Sequence, residues 1–246
     1  MDKNAFSYSG TELVALSGAR NYYRWIFSCL TPHLGARIVE VGSGVGTFSN
    51  LLLNHGNLEQ LILVEPAANL FPVLRDRYSG ESRVKLVHGY LEDVPMTVAA
   101  DCVILINVLE HIADVEGFLA AVHARLVPAG RLLVLVPAGP KLFGTLDEAF
   151  GHHRRYTKYT LAQSLEKGGF RVTGLRYFNL PGVLTWFIAG RVLRKRTLLP
   201  RDVRIYDQWV VPWISALESV WVPPCGQSLI AVTEKRTEKM QGSAKQ

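Results

Sequence analysis

The stretch IVEVGSGVGTFSN, residues 38–50, decides the fold. An apolar run enters three glycines, Gly42, Gly44 and Gly46, and leaves as helix-forming sequence from about Thr47. Glycine lets the backbone turn sharply and lie close to a ligand. A helix that starts there aims its first amides at the same ligand. The junction is therefore built for an anionic or strongly polar group. A dinucleotide fingerprint, G-x-G-x-x-G/A, fails at its third position, which is Thr47, and the extra glycine falls at 46. The glycines alone leave open whether the ligand is a dinucleotide, a phosphate or something else.

Outward from this stretch, strands and helices alternate. Strands are expected at Ala36–Val41, Gln60–Glu65, Arg83–His88, Asp101–Asn107 and Arg131–Val136. Helices are expected at Thr47–His55, Ala67–Tyr78 and Val115–Leu126. Strands this uniformly apolar are covered on both faces, which predicts an α/β fold with a doubly wound, mostly parallel sheet. A helix at Lys158–Lys167 and strands at Phe170–Phe178 and Ser228–Glu234 follow. Residues 11–30 carry apolar and aromatic positions at helical spacing, so residues 1–34 form an N-terminal helical segment. The cofactor-binding core is 35–178, and residues 228–236 return to it as its last strand. Between them, residues 179–227 form an insert rich in Trp, Pro and Arg. The tail, 237–246, is polar and is expected to be flexible.

Composition narrows the setting. A chain of 246 residues with 48% hydrophobic content can bury one large core. A net charge of +6 permits anionic partners or a membrane surface without requiring either. Cys29, Cys102 and Cys225 form no paired motif, which argues for a reducing compartment and against a disulfide framework or a zinc site. The N-terminus carries no signal-peptide pattern. The apolar run Leu180–Gly190 is shorter than the roughly 20 residues of a spanning helix. The expectation is a cytoplasmic protein.

Two acids narrow the ligand. Glu65 ends the second strand about 20 residues past the glycines, where a carboxylate accepts bonds from two ribose hydroxyls. NAD and S-adenosylmethionine both present such hydroxyls. Glu40 points into the glycine loop from the first strand. An anion there repels a pyrophosphate and attracts an ammonium and a sulfonium.

In order along the chain stand VEVGSGVG, LVEP, VHGYLEDVP and DCVILINVLEHI, each at a strand end. Together they resemble the class I S-adenosylmethionine-dependent methyltransferases over about residues 35–178. The resemblance implies the seven-stranded Rossmann-like sheet of that family, completed by SLIAVTE, and S-adenosylmethionine as cofactor. It implies that Glu40 and Gly42 approach the methionine amino group, that Gly44 and Gly46 line the loop, and that Ser43 is cofactor-binding with them. Glu65 would hold the ribose, with Pro66 beside the adenine. Gly89, Tyr90 and Leu91 would wall the adenine pocket, and Asn107 and Val108 would lie near the transferred methyl. Tyr90 departs from the Asp that many relatives carry, so either Glu92 or Asp93 replaces that acid or the ring stacks.

The densest chemistry is LDEAFGHHRRYTKYT, residues 146–160, just after the fifth strand. Methyl transfer to a hydroxyl or ammonium needs the acceptor aligned and its proton removed, and histidine suits that role. The expected base is His152 or His153, oriented by Asp147, with His111 in reserve. Arg154 and Arg155 would bind an anionic group on the acceptor beside Tyr156. No metal is required. A GHxRRY run after this strand also resembles a subset of these enzymes that act on small molecules, some in natural-product pathways. Thr157 caps the next helix, the structural share of the stretch.

The insert reads foremost as a lid with Trp186 facing a large apolar acceptor, and next as a plain packing subdomain. A membrane-surface element and a homodimer contact are its other readings. The resulting function is O- or N-methylation of a small or lipid-like molecule. Its rivals are an RNA or protein methyltransferase, a partner subunit that kept the cofactor loop without chemistry, and an NAD oxidoreductase. Aromatic-interleaved basic patches are absent, so a nucleic-acid acceptor is not favoured.

Overall fold

The computed structural model describes residues 6–8, 10 and 12–236. Helices α1 (Glu12–Leu16) and α2 (Arg20–Leu30) precede β1 (Arg37–Val41). Then come α3 (Ser49–Leu53), β2 (Gln60–Glu65), α4 (Phe71–Tyr78), β3 (Val84–His88) and β4 (Ala100–Ile106). They are followed by α5 (Val115–Arg125), β5 (Leu126–Pro137), α6 (Thr145–Ala149), α7 (Lys158–Lys167) and β6 (Phe170–Phe178). Helices α8 (Leu180–Phe187), α9 (Pro200–Trp209) and α10 (Val211–Val220) lead to β7 (Ser228–Lys235).

The seven strands form one sheet in the order β3-β2-β1-β4-β5-β7-β6. All pairings are parallel except those of β7, which runs antiparallel to β5 and β6. The sheet is the doubly wound, mostly parallel one that the sequence predicts. The chain winds outward in opposite directions from β1 and β4. Their carboxyl ends therefore part and leave a crevice, where ligands of such sheets bind.

Strand alternation divides the apolar run of each strand between two cores. Val39, Val103, Leu132 and Val134 pack with Leu119 and Val122 of α5 and with Leu161 and Leu165 of α7. Ile38, Cys102, Ile104 and Leu133 face the other way, onto Ile26 and Leu30 of α2, Leu52 of α3 and Leu74 of α4. Both faces are covered, so neither alternates with polar residues. A register shift between Val172 and Gly174 breaks the alternation in β6. It puts Phe170 in the first core and Phe178 in the second, although the two are an even number of residues apart.

Several boundaries differ from expectation. The N-terminal helix divides at Ser17-Gly18-Ala19, where glycine has low helix propensity. Helix α3 starts at Ser49 rather than Thr47, because residues 45–48 form turns. Helix α4 starts at Phe71 rather than Ala67, and Pro72 falls in its first turn, where its missing N–H costs nothing. Strand β5 begins at Leu126, with Ala129 at a positive φ of 60°. The tail at 237–246 lies outside the described residues.

The insert is helical and tied down at both ends. Glu218 of α10, itself buried, accepts from the backbone N–H of Asn179 at 3.1 Å and of Leu180 at 2.9 Å. Asp207 of α9 caps α2, accepting from the N–H of Tyr22 at 2.8 Å and of Asn21 at 3.2 Å. A carboxylate at a helix start satisfies its unpaired amides and its dipole. These bonds hold the insert and the N-terminal helices together above the crevice.

Candidate active site

The carboxyl ends of β1, β2, β4 and β5 converge on one cavity of about 940 Å³. Its floor is the glycine loop. Gly42 has a φ of 71°, and a Cβ there would meet Val108 Cγ2 at 2.7 Å. Gly46 serves packing instead. It lies outside the cavity lining, and a Cβ there would strike the Tyr78 ring at 2.7 Å.

The loop amides are largely committed within the protein. Gly42 and Ser43 donate to Val64 O at 2.9 and 3.1 Å, and Gly46 donates to Ser43 O at 2.9 Å. Gly44 donates to Glu65 Oε2 at 2.7 Å, while Glu65 Oε1 accepts from Ala67 at 2.9 Å. These amides are therefore not aimed at a phosphate, contrary to one reading of the glycines. Each Glu65 oxygen keeps a second lone pair for a ribose hydroxyl.

Glu40 lies beneath the loop, 3% exposed, and accepts from Ser49 Oγ at 2.6 Å. Burial pushes its pKa up to about 8, and nearby Glu65 adds to the rise against the opposing Ser49 bond. The pocket floor thus holds a proton at neutral pH until a cation replaces it, rather than standing ready-charged as the sequence implies. The rest of this half of the cavity is lined by Ser43, Pro66, Gly89, Tyr90, Leu91, Glu92, Asn107 and Val108. Asn107 turns the chain out of β4 at a φ of 52°, a conformation unusual for a non-glycine residue. Asp93 spends its carboxylate on the backbone N–H of Tyr90 at 3.0 Å and does not line the cavity. Glu92 and the Tyr90 ring do line it.

No Lys or Arg lines this half, whereas Glu40, Glu65 and Glu92 do. That balance rejects a pyrophosphate and suits a ligand with an ammonium, a sulfonium and a ribose, as S-adenosylmethionine has. A cation bound beside Glu40 must displace its proton. Affinity is expected to rise up to tenfold per pH unit from pH 6 toward 8 and to level off above, where Glu40 is already ionised. Titration calorimetry at pH 6, 7 and 8, in buffers of different ionisation enthalpy, checks both the slope and the released proton.

The other half of the cavity is built around Asp147, which α6 carries fully buried. Its Oδ1 accepts from His152 Nδ1 at 2.8 Å and Arg155 Nε at 2.7 Å. Its Oδ2 accepts from Gly144 N and Trp186 Nε1, both at 3.1 Å. Burial works against the charge, yet His152, Arg155 and Trp186 together hold its pKa below the ordinary range. Arg155 also donates to Ala138 O at 2.8 Å and stacks 4.8 Å over the Trp186 ring. One carboxylate thus joins the residue 146–156 stretch to the insert and to the end of β5.

His152, Arg155, His111 and Trp186 line the cavity. The His111 and His152 rings meet edge to face at 4.9 Å. Burial, with His152 nearby, lowers the His111 pKa to about 4, so this ring is neutral at pH 7. Three other expected site residues lie elsewhere. His153 is exposed and outside the lining, its N–H bonded to Glu110 O at 2.9 Å. Arg154 donates to Ala113 O at 3.2 Å, away from the cavity. Tyr156 is core, its hydroxyl 3.3 Å from Leu109 O. Adjacent residues in this stretch point in different directions, which spacing alone does not reveal. Glu110 was missed. It is fully buried and both its carboxylate oxygens lack partners. Its adjacency to His111 was the only available signal.

Residues 20–175 match the family model described as a methyltransferase domain. The chain is 29% identical to demethylspheroidene O-methyltransferase of Rhodobacter capsulatus, over 54% of this chain and 36% of that protein. It is 23% identical to a ubiquinone/menaquinone biosynthesis C-methyltransferase of Haemophilus ducreyi, over 58% of this chain and 56% of that one. It therefore spans about a third to a half of the curated relatives it matches. An S-adenosylmethionine-dependent methyltransferase of Mesorhizobium loti shares the fold, with a TM-score of 0.60 at 15% identity over 86% of this chain and 98% of that one. With the acid-lined glycine loop at the sheet's switch point, the match over more than half its length shows that the chain belongs to the methyltransferase-domain family and carries a class I S-adenosylmethionine-dependent methyltransferase domain.

Proposed function

We propose that the protein methylates a hydroxyl oxygen of an apolar small molecule that it meets at a membrane surface. The observation that carries this reading is the continuity of one cavity. It runs from the acid-lined half, through His111 and His152 under Trp186, to Ile188, Leu193 and Leu199. These last three line the cavity and are also 40%, 58% and 52% exposed. S-adenosylmethionine supplies an electrophilic methyl group when bound.

The chain's own residues do the rest. Glu65 and Glu40 hold the donor end. Trp186 and the insert exclude water and receive an apolar acceptor body. Asp147 accepts a hydrogen bond from the Nδ1–H of His152, which fixes the tautomer and leaves Nε2 to take the acceptor's proton. The GHxRRY run, on this reading, is the device that sets His152 and Arg155 around Asp147, and its likeness to a run in small-molecule enzymes supports a small acceptor. The curated relatives act in O- and C-methylation of small molecules, which supports oxygen over nitrogen here.

The membrane contact rests on the insert's outer face. Trp209, Trp213, Leu217 and Val220 follow one another at helical spacing and are 50–85% exposed. Arg191, Arg194, Lys195, Arg196, Arg201 and Arg204 lie in the same insert. Of its acids, Asp207 and Glu218 are buried. A basic segment at 191–204 beside exposed tryptophans fits the interface of an anionic bilayer. No described helix is long and apolar enough to cross a membrane.

Transfer of a labelled methyl group tests the function. Turnover is expected with long-chain phenols or quinols dispersed in vesicles, and none with RNA or protein. Transfer to RNA instead would overturn it. Vesicle sedimentation tests the contact. Binding should need anionic lipid, weaken with salt and fall at least fivefold in Trp209→Ala/Trp213→Ala, from the lost interfacial burial. If the double variant instead turns a dimer into a monomer and leaves vesicle binding unchanged, the face is a homodimer contact.

A further inference from the structure

Glu110, His111 and His152 are the one group of three potential metal-ligating side chains found among the described residues, with one ligand atom from each within 4.8 Å of the others. Each member is prepared for that role. Glu110 is fully buried, and neither of its oxygens has a hydrogen-bond partner. A buried carboxylate left unpaired carries a heavy desolvation cost that a cation relieves. His111 Nδ1 faces Gly151 O at 3.2 Å, so that nitrogen must donate and Nε2 keeps its lone pair. His152 Nδ1 faces Asp147 Oδ1 at 2.8 Å, with the same consequence. Metal-bound histidines characteristically have the other ring nitrogen fixed by a carbonyl or carboxylate in this way. Buried Arg155 Nη2 is also unpartnered, so Glu110 is not hydrogen-bonded to it.

We propose that Glu110, His111 and His152 bind one divalent transition-metal ion whose open positions face the cavity and take the acceptor's hydroxyl oxygen. Two imidazoles and one carboxylate suit zinc, manganese, iron or cobalt better than calcium or magnesium. Metal–nitrogen bonds of about 2.1 Å would put tetrahedral ligands ~3.4 Å apart, so binding draws the three groups inward by about 1 Å. His111 and His152 line the cavity while Glu110 lies behind them, so the open side of the ion faces the acceptor. A hydroxyl bound there loses its proton to solvent more readily, as metal-bound water does. The cation then takes over the task otherwise left to His152 Nε2. This inference rests on the methyl-transfer reading for its role, though the site itself does not.

The test uses metal-stripped, untagged protein and Co²⁺ as the probe, read by its visible d–d absorption and by calorimetry. The expected result is one Co²⁺ per chain, displaced by Zn²⁺. Glu110→Gln and His152→Ala should each weaken it at least tenfold, with S-adenosylmethionine affinity unchanged as the check that the fold survives. Equal binding by wild type and Glu110→Gln, or no binding by wild type, overturns the site. Undiminished methyl transfer after chelation overturns the cation's role and leaves His152 as the proton acceptor. Stoichiometric Co²⁺ binding without transfer to any acceptor supports the site and counts against the methyl-transfer reading instead.

Discussion

Asp147→Ala is expected to lower the stability of the fold by about 3–5 kcal/mol, the scale for breaking a buried charge pair by removing one partner. The reason is what it abandons. Arg155 is 5% exposed and has Asp147 as its carboxylate partner at 2.7 Å. Trp186 Nε1 and the Gly144 amide lose their acceptor at the same time. For a chain of this size the loss corresponds to a fall in Tm of about 6–20 °C. Asp147→Asn should fall between, since it keeps one acceptor oxygen but turns an amide donor toward two of the four donors. Because the carboxylate also fixes His152, turnover in both variants should drop about 100-fold or more, the usual worth of a positioned proton acceptor. Urea unfolding and initial rates measure the two effects separately. Asp147→Ala within about 1 kcal/mol of wild type would show that the four-donor arrangement does not hold the site together.

Glu65→Gln should weaken S-adenosylmethionine binding by about 10²–10⁴-fold, from two hydrogen bonds to a charged group at about 1.5–3 kcal/mol each. The substitution is nearly isosteric, so the cavity keeps its shape. The conflict is chemical. Glu65 now accepts two backbone N–H bonds, at 2.7 and 2.9 Å, one on each oxygen. A glutamine must turn its NH₂ toward one of them, which either loosens the Gly44 turn or gives up a ribose contact. Burial raises the Glu65 pKa, and the two amide bonds oppose that rise. The charge is thus held by the loop whose shape it maintains. Calorimetry with S-adenosylhomocysteine as well would show the same loss, because the ribose is common to both.

These residues also mark how far the sequence could be read. The sheet was legible because its strands are apolar without interruption, and a strand covered on both faces can hardly look otherwise. Strand β2 was placed at Gln60–Glu65 and β6 at Phe170–Phe178, the bounds the structure has. The glycine loop and its two acids were legible because strand-end position fixes their direction. What the loop does with its amides was not. The Val64 and Glu65 oxygens that occupy them come from the neighbouring strand, a contact between residues about 20 apart.

The acceptor end was half legible. His152 and Asp147 were paired in anticipation, and the structure joins them at 2.8 Å. Trp186 reaches Asp147 from 39 residues away, and only folding makes that contact. Neighbouring His153, Arg154 and Tyr156 were grouped with the site by composition, but the short helix α6 and the pairing of Tyr156 with Ala138 send them elsewhere. Glu110 escaped because a lone acid after a strand ordinarily reads as solvated surface, whereas here it is fully buried.

The donor half of the cavity presents acids and no cation, Glu40 giving up its proton to the ligand, and so selects a cationic methyl donor. Calorimetric titration of the same preparation with S-adenosylmethionine and with NAD tests this most directly. One molecule of S-adenosylmethionine per chain, with proton release at pH 7 and no measurable heat from NAD, is the predicted result. Binding of NAD without S-adenosylmethionine would contradict it.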